Sequence, residues 1–270
     1  MTAERVISGK TRLYGIVGDP IAQVAAPEAF NPYFADNEID AIMLAIHVKT
    51  GGVRAALEGF AVIANLDGLI ITIPHKFAFA QLMDEIGLHG NRVGAVNAIR
   101  QKPDGTWIGD MFDGVGFVEG LRDQDINPTG KSFLIYGAGG AGTAIGGALL
   151  DAAPSRISIV DPAPGKAETL CETLRKAAPA IAIAAVDAQA DPGDYEIVVN
   201  STPLGMKAGD PLPFDPNRLT RSNIVAEVIM KPPITPILMA AEARGCRIHP
   251  GRHMLQGQFF PFLRFFGFSV

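Results

Sequence analysis

The stretch SFLIYGAGGAGTAIGGALLDA, residues 132–152, constrains the fold more tightly than any other part of this 270-residue chain. It passes from a short apolar segment suited to a buried strand, through a glycine-rich turn, into small and apolar residues suited to a helix. Gly137, Gly139 and Gly142 stand between the two in G-x-G-x-x-G spacing, with Ala138, Gly140 and Ala141 completing the turn. In that setting the first glycine permits the tight turn, the second lets a pyrophosphate approach the backbone, and the third lets the helix pack close to the strand. The helix N-terminus adds free N–H groups and the positive end of a dipole, both of which favour phosphate. Glycine-rich turns are common, so the loop gains weight from an acid about 20 residues beyond it. Asp161 ends the next apolar segment, RISIVDP (156–162), where an acid accepts hydrogen bonds from the adenosine ribose hydroxyls of NAD. The competing reading of Asp161 is a helix N-cap before Pro162. No arginine comes soon after it to receive the 2′-phosphate of NADP, and Lys166 is the one nearby cation in the sequence. The expected cofactor is NAD, in preference to NADP.

Strand-like and helix-like segments alternate elsewhere too. RLYGIVG (12–18), AIMLAIHV (41–48) and LDGLIITI (66–73) read as strands, with helical spacing in 26–39 and 51–65 between them. This implies βαβ units and a mostly parallel first sheet. AIRQKPDGTWIG (98–109) reads as a hairpin turning at Asp104-Gly105. Beyond the glycine loop come YEIVVNSTPLGM (195–206), NIVAEVIM (223–230), a helix at 235–245 and CRIHPG (246–251). Two α/β domains fit better than one sheet, joined near 109–117. The last 18 residues place phenylalanines on a helical pattern, so they must bury a face.

Hydrophobic residues make up 48% and charged residues 19%, the balance of a globular chain with a large core. A net charge of −5 lacks the basic face that nucleic acid requires. No apolar run approaches a membrane span, and charges interrupt the apolar runs of the first 18 residues, so neither a leader nor a membrane partner is expected. Cys171 and Cys246 are too few for a disulfide framework and read as buried thiols. These features point to a cytoplasmic protein. His47, His75, His89, His249 and His253 have no ligand spacing, so no metal is expected.

LIITIPHK (69–76) carries an apolar, β-branched run through Ile70, Ile71, Thr72 and Ile73 into Pro74, His75 and Lys76. Residues just past the C-terminal end of a parallel strand face the ligand crevice of open α/β sheets, which makes Lys76 a candidate for chemistry as well as for plain solvation.

Seven segments in order, YGIVGDPIA with AP after it, TIPHK, GAVNAI, GDMFDGVGF, GAGGAG, NSTPLGM and GRHMLQGQ, resemble the shikimate dehydrogenase family over nearly the whole chain. The resemblance implies an α/β protein of two domains. A substrate domain spans 1–113 plus 248–270 and is completed by the C-terminal helix, a Rossmann-type dinucleotide-binding domain spans 114–247, and the active-site cleft lies between them. The resemblance makes Lys76 and Asp113 the catalytic pair, and Thr72, Asn97 and Gln258 the residues that hold ring hydroxyls of the substrate. It places Asn200, Ser201, Thr202, Gly205 and Met206 beside the nicotinamide, and Gly251 with its backbone facing that ring. A positioned lysine can relay the proton that an alcohol loses as its carbon gives up hydride.

The departures from the family cluster at one end of the substrate. Two serines and a tyrosine that hold its carboxylate correspond here to Val24, Ala26 and Met230, none of which donates a hydrogen bond. An asparagine near the lysine is Ile70, and Met111-Phe112 precede Asp113. The expectation is a dehydrogenase of a ring alcohol that lacks the shikimate carboxylate, working as a monomer or homodimer. A genuine shikimate or quinate dehydrogenase with Gln23, Lys231 or His75 as a substitute anion site is the alternative. A non-catalytic dinucleotide sensor is the alternative of another class, disfavoured because Lys76, Asp113, Asn97 and Gln258 are all present.

Overall fold

The computed structural model describes residues 7–270, so Met1 to Val6, part of the stretch read for leader character, lie outside the described residues. The chain divides into two compact units, 1–111 with 262–270, and 112–261.

The first unit contains β1 (Arg12–Gly18), α1 (Ala26–Asp36), β2 (Ala41–His47), α2 (Val53–Ala61), β3 (Leu66–Ile71), α3 (Lys76–Ala80), β4 (Glu85–Ile86), α4 (Leu88–Val93), β5 (Ala98–Gln101) and β6 (Trp107–Asp110). Its six strands are ordered β2-β1-β3-β5-β6-β4. β1 pairs in parallel with β2 and β3, as the alternation implies, whereas β5 runs antiparallel to both β3 and β6. The β5–β6 hairpin turns through Gly105 at φ +90°, a backbone conformation that glycine adopts without penalty. Leu69, Ile70 and Ile71 are buried, but the strand ends at Ile71, and Ile73, which the apolar run suggests as a core residue, is 70% exposed. Phe266 lies over Gly68 of β3, where no Cβ intervenes, and packs 5.2 Å from Tyr14 of β1. The terminal phenylalanines thus bury the face that their spacing requires.

The second unit contains α5 (Asp113–Asp123), β7 (Ser132–Tyr136), α6 (Gly140–Leu149), β8 (Arg156–Val160), α7 (Lys166–Ala177), β9 (Ala182–Ala185), β10 (Ile197–Asn200), β11 (Ile224–Glu227), α8 (Pro236–Ala243), β12 (Arg247–His249) and α9 (Arg252–Gly257), and it leads into α10 (Phe259–Phe265). Its sheet is parallel throughout, ordered β12-β11-β10-β7-β8-β9. The winding reverses between β7 and β10, which opens a crevice at their C-terminal ends, where doubly wound sheets bind ligands. The core between sheet and helices includes Phe117, Phe133, Ile135, Ile145, Leu149 and Cys171. Burial pushes the Cys171 thiol up to about 11, so it stays protonated and packs as an apolar group. Among the described residues no helix is long and apolar enough to cross a membrane.

Candidate active site

The glycine turn sits at the β7–β10 crevice. Gly137 has φ +104°, and a Cβ there would meet Ser201 Oγ at 2.9 Å. A Cβ at Gly142 would overlap the Gly137 carbonyl, so α6 can start this close to the strand only with glycine at that position. Gly139 is exposed, and a Cβ on it would meet nothing within 4 Å. The middle glycine thus leaves its backbone open to a ligand, as a pyrophosphate requires. The Ser201 hydroxyl lies 2.8 Å from Tyr136 O and 2.9 Å from Gly137 O and donates to these carbonyls, tying the loop after β10 to the turn after β7.

Asp161, just past β8, accepts from Ala138 N at 2.7 Å through Oδ2 and from Ala163 N at 2.8 Å through Oδ1. Each carboxylate oxygen has a further lone pair, so the acid can brace the glycine turn and still accept from ribose hydroxyls. Lys166 opens α7 behind Gly165, which has φ +79°.

The loop after β10 is internally bonded. Asn200 accepts through Oδ1 from Thr202 Oγ1 at 2.6 Å and donates through Nδ2 to Leu204 O at 3.1 Å. Gly205 has φ +107°, its N–H donates to Asp210 Oδ2, and Met206 beyond it is exposed. Gly251 packs its α-carbon against the backbone of Val228 and Ile229, where a side chain would not fit.

In the first unit, strand pairing gathers Thr72, Lys76 and Asn97. Thr72 N donates to Val17 O at 2.9 Å, which fixes the end of β3 against β1. Ile71 N donates to Asn97 O at 2.8 Å, and Val96 N donates to Lys76 O at 3.1 Å. His75 N closes a turn onto Thr72 O, so Lys76 becomes the first residue of α3. Thr72 and Lys76 are partly buried and Asn97 is almost fully so.

In the second unit, Asp113 is the first residue of α5, where the helix dipole favours an acid. α5 is held by close backbone approaches. A Cβ on Gly114 would overlap the Ala144 carbonyl of α6, and Cβ atoms on Gly116 and Gly120 would overlap Gln258 with Met254 O and His253 O respectively. Gln258, which caps α9 and is 4% exposed, therefore lies beside the turn of helix that Asp113 begins.

The positions that the resemblance assigns to a carboxylate, Val24, Ala26 and Met230, carry no hydrogen-bond donor in their side chains. α1 starts at Ala26 with Ala25 as its N-cap and no side-chain capping bond, its first turn contains Pro27, and Glu28 adds an exposed acid. Gln23 donates its amide to Pro20 O at 2.7 Å. His75 is 2% exposed, with Nε2 2.7 Å from Val48 O, so its ring belongs to the interior. Met230 and Lys231 are both exposed on the loop between β11 and α8. Among the described residues no cluster of three or more His, Cys, Asp or Glu side chains is placed to hold a metal ion.

The chain is similar to known proteins over most of its length. Residues 16–99 match the family model described as the shikimate dehydrogenase substrate binding domain. A shikimate dehydrogenase (NADP(+)) of Rubrobacter xylanophilus is 33% identical over 252 residues, covering 92% of this chain and 88% of its own length. The chain belongs to the shikimate dehydrogenase family. It is thus an NAD(P)-dependent dehydrogenase, and its cofactor is a nicotinamide dinucleotide. Among solved structures, the shikimate 5-dehydrogenase of Listeria monocytogenes in complex with shikimate and NAD is 29% identical, with a TM-score of 0.86 over 95% of this chain and 92% of that one. The ligand-free 5-ketofructose reductase of Gluconobacter sp. strain CHM43 is also 29% identical, with a TM-score of 0.87 over 96% of this chain and 94% of that one.

Several residues matter more here than their sequence context suggests. Thr235-Pro236 reads as an ordinary helix start, yet the Thr235 hydroxyl makes no capping bond and donates instead to Glu227 Oε2 at 2.6 Å. At the ends of β1 and β2, Asp19 accepts from Thr50 N and Thr50 Oγ1 and lies 2.8 Å from His47 Nε2, contacts that hold its carboxyl down at about 2. Neither network has a local sequence signal, because the first depends on how β11 meets α8 and the partners of Asp19 lie about thirty residues away.

Proposed function

We propose that this protein is an NAD-linked dehydrogenase or reductase that interconverts a polyhydroxylated ring alcohol and its ketone, on a substrate without the carboxylate of shikimate. The observation that carries this reading is the pairing of a complete hydroxyl-handling set, Thr72, Lys76, Asn97, Asp113 and Gln258, with Val24, Ala26 and Met230 at the carboxylate-handling positions. Each hydrogen bond to a charged group is worth about 1.5–3 kcal/mol, so a carboxylate left against these three side chains loses several kcal/mol of binding. Glu28 in the first turn of α1 places negative charge at that helix start, which disfavours an anion further. That the family includes a 5-ketofructose reductase supports the reading, since its named substrate is a polyhydroxy ketone with no carboxylate.

The nicotinamide, when bound, supplies the acceptor or donor of hydride. Gly137, Gly139 and Gly142 offer the pyrophosphate an open backbone, and Asp161 offers acceptor lone pairs to the ribose. An acid at position 161 repels a 2′-phosphate, which favours NAD over NADP. Asn200, Ser201, Thr202, Gly205 and Met206, together with Gly251, flank the nicotinamide. Lys76 handles the proton of the reacting hydroxyl: its amine accepts that proton as hydride leaves, and its ammonium returns it as hydride arrives. Asp113 is its acidic counterpart, and Thr72, Asn97 and Gln258 hold neighbouring hydroxyls. The substrate-binding and dinucleotide-binding roles divide between 1–113 with 248–270 and 114–247.

Restoring the missing donors tests the reading. The triple variant Val24→Ser, Ala26→Ser, Met230→Tyr should gain at least about tenfold in kcat/KM for shikimate, the worth of one recovered hydrogen bond to charge. Shikimate turnover already efficient in the unaltered protein, and abolished by Lys231→Ala, would overturn it in favour of a substitute anion site at Lys231.

A further inference from the structure

The loop from Val228 to Ile234 leaves the C-terminal end of β11 and returns to the N-terminus of α8. Its two ends are joined by one side-chain hydrogen bond, from Thr235 Oγ1 to Glu227 Oε2 at 2.6 Å, and both residues are fully buried. Two features make this bond unusual. Thr235 occupies a helix N-cap, a position where a threonine hydroxyl ordinarily accepts from the first turn, yet here it donates to an acid eight residues back. The other oxygen, Glu227 Oε1, is buried and has no hydrogen-bond partner among the described residues.

The surroundings connect this clasp to the nucleotide side of the site. Glu227 lies in register with Asn200 on the adjacent strand, and Asn200 organises the 200–206 loop. A Cβ on Gly205 of that loop would meet Thr235 Cβ at 3.3 Å, so the loop rests on the threonine. On its other side, the segment just past Glu227 packs its backbone against Gly251. One buried pair thus supports both stretches that the functional reading assigns to the nicotinamide.

We propose that Glu227 is a positioning residue for the nucleotide site, acting through Thr235 to hold the 200–206 and 228–234 loops. The proton on Glu227 decides how well it does so. With the carboxyl neutral, the clasp sits in the interior at little cost. With it ionised, the unpartnered Oε1 carries charge into a site without solvent, and the interior must open to hydrate it. Burial raises this carboxyl to about 7, opposed by the Thr235 hydrogen bond and by the neighbouring Asn200 side chain. The titratable groups on the segments packed around it include His249, Asp210 and Lys231, while Lys207, Glu242 and Arg247 on the same segments are exposed. His249 on β12 is kept neutral by burial at about 3, Asp210 is held below its usual range by the backbone N–H groups of Lys207 and Gly205, and Lys231 stands out in solvent. None of these charges is a cause of the Glu227 shift, which comes from burial.

The inference rests on the functional reading only in taking the 200–206 loop and Gly251, against which Val228 and Ile229 pack, to flank the nicotinamide, and the test therefore needs no substrate. NADH affinity, followed by its fluorescence between pH 5.5 and 8.5, should weaken about threefold to tenfold in the unaltered protein as pH rises through roughly 7. Glu227→Gln, neutral at every pH, should bind NADH as the unaltered protein does at pH 5.5 and show no such transition. Thr235→Val, which keeps the shape but removes the hydroxyl, should bind weakly across the whole range. Amide hydrogen exchange, corrected for intrinsic rates, should show 200–206 and 228–234 losing protection over the same pH interval in the unaltered protein and not in Glu227→Gln. This second readout holds whichever substrate the enzyme uses. The same pH transition in Glu227→Gln, or loop protection independent of pH in the unaltered protein, would overturn the proposal.

Discussion

Lys76 owes its place to two main-chain contacts, His75 N to Thr72 O and Val96 N to Lys76 O, so the side chain can be changed without disturbing the turn that presents it. Lys76→Met should therefore fold normally and lose about 10²–10⁴-fold in kcat, the range for removing a general acid or base, with NADH affinity unchanged. Steady-state kinetics beside nucleotide titration checks this. Asp161→Asn keeps one acceptor but exchanges the other for an amide donor facing either Ala138 N or Ala163 N. NAD affinity should fall about tenfold or more, and the proposed preference for NAD over NADP should narrow, both read from KM values. The glycine loop was legible in the sequence because its needs, a positive φ at Gly137 and a close approach at Gly142, are met by one residue type at fixed spacing. The partners of Ser201 were not, because its acceptors lie more than sixty positions away and nothing local marks them.

At the scale of elements, α5 shows most clearly what a sequence conceals. Its glycines at 114, 116 and 120 weaken it as an isolated helix, and the stretch reads as a junction. In the structure those glycines let α6 and α9 approach its backbone, which sets the start of the helix and thus Asp113. Gly114→Ala forces a methyl group into the Ala144 carbonyl and should lower stability by about 1–3 kcal/mol or more, measured as a shift of the urea midpoint, with a larger fractional loss of kcat than of NADH binding. The strands β1, β2 and β3 start where the alternation of apolar residues puts them, but β2 and β3 end one and two residues early. Apolar side chains continue past the last paired residue, as at exposed Ile73. The C-terminal aromatic pattern was legible as a buried face but not as two helices, α9 and α10, separated at Gln258.

For the molecule as a whole, two buried groups shape the dependence of stability on pH in opposite directions. His249 is fully buried, with both ring nitrogens lacking hydrogen-bond partners among the described residues, and burial depresses it from 6.5 to about 3. Between those values the unfolded chain binds the extra proton, so stability falls as pH drops from about 6.5 towards 3. Glu227 is raised from 4.5 to about 7, so the folded chain holds the extra proton between them, and its contribution is full below about 4.5 and lost as pH rises through 7. His249→Leu should flatten the acid limb of urea midpoints measured from pH 7 to 4, and Glu227→Gln should flatten the decline between pH 5 and 8. The two-unit α/β architecture and the family were legible in the sequence, since seven ordered segments span both units. The clasp at Glu227 and Thr235 was not, since it depends on how β11 and α8 meet. The central claim, that the hydroxyl-handling residues are kept while carboxylate recognition is lost, is tested most directly by NAD-linked turnover of the purified enzyme on shikimate, quinate and matched polyhydroxy ketones and polyols without a carboxylate. The account predicts kcat/KM at least a hundredfold higher on a carboxylate-free substrate than on shikimate or quinate, from two or more missing hydrogen bonds to charge at about 1.5–3 kcal/mol each. Efficient turnover confined to shikimate or quinate would contradict it.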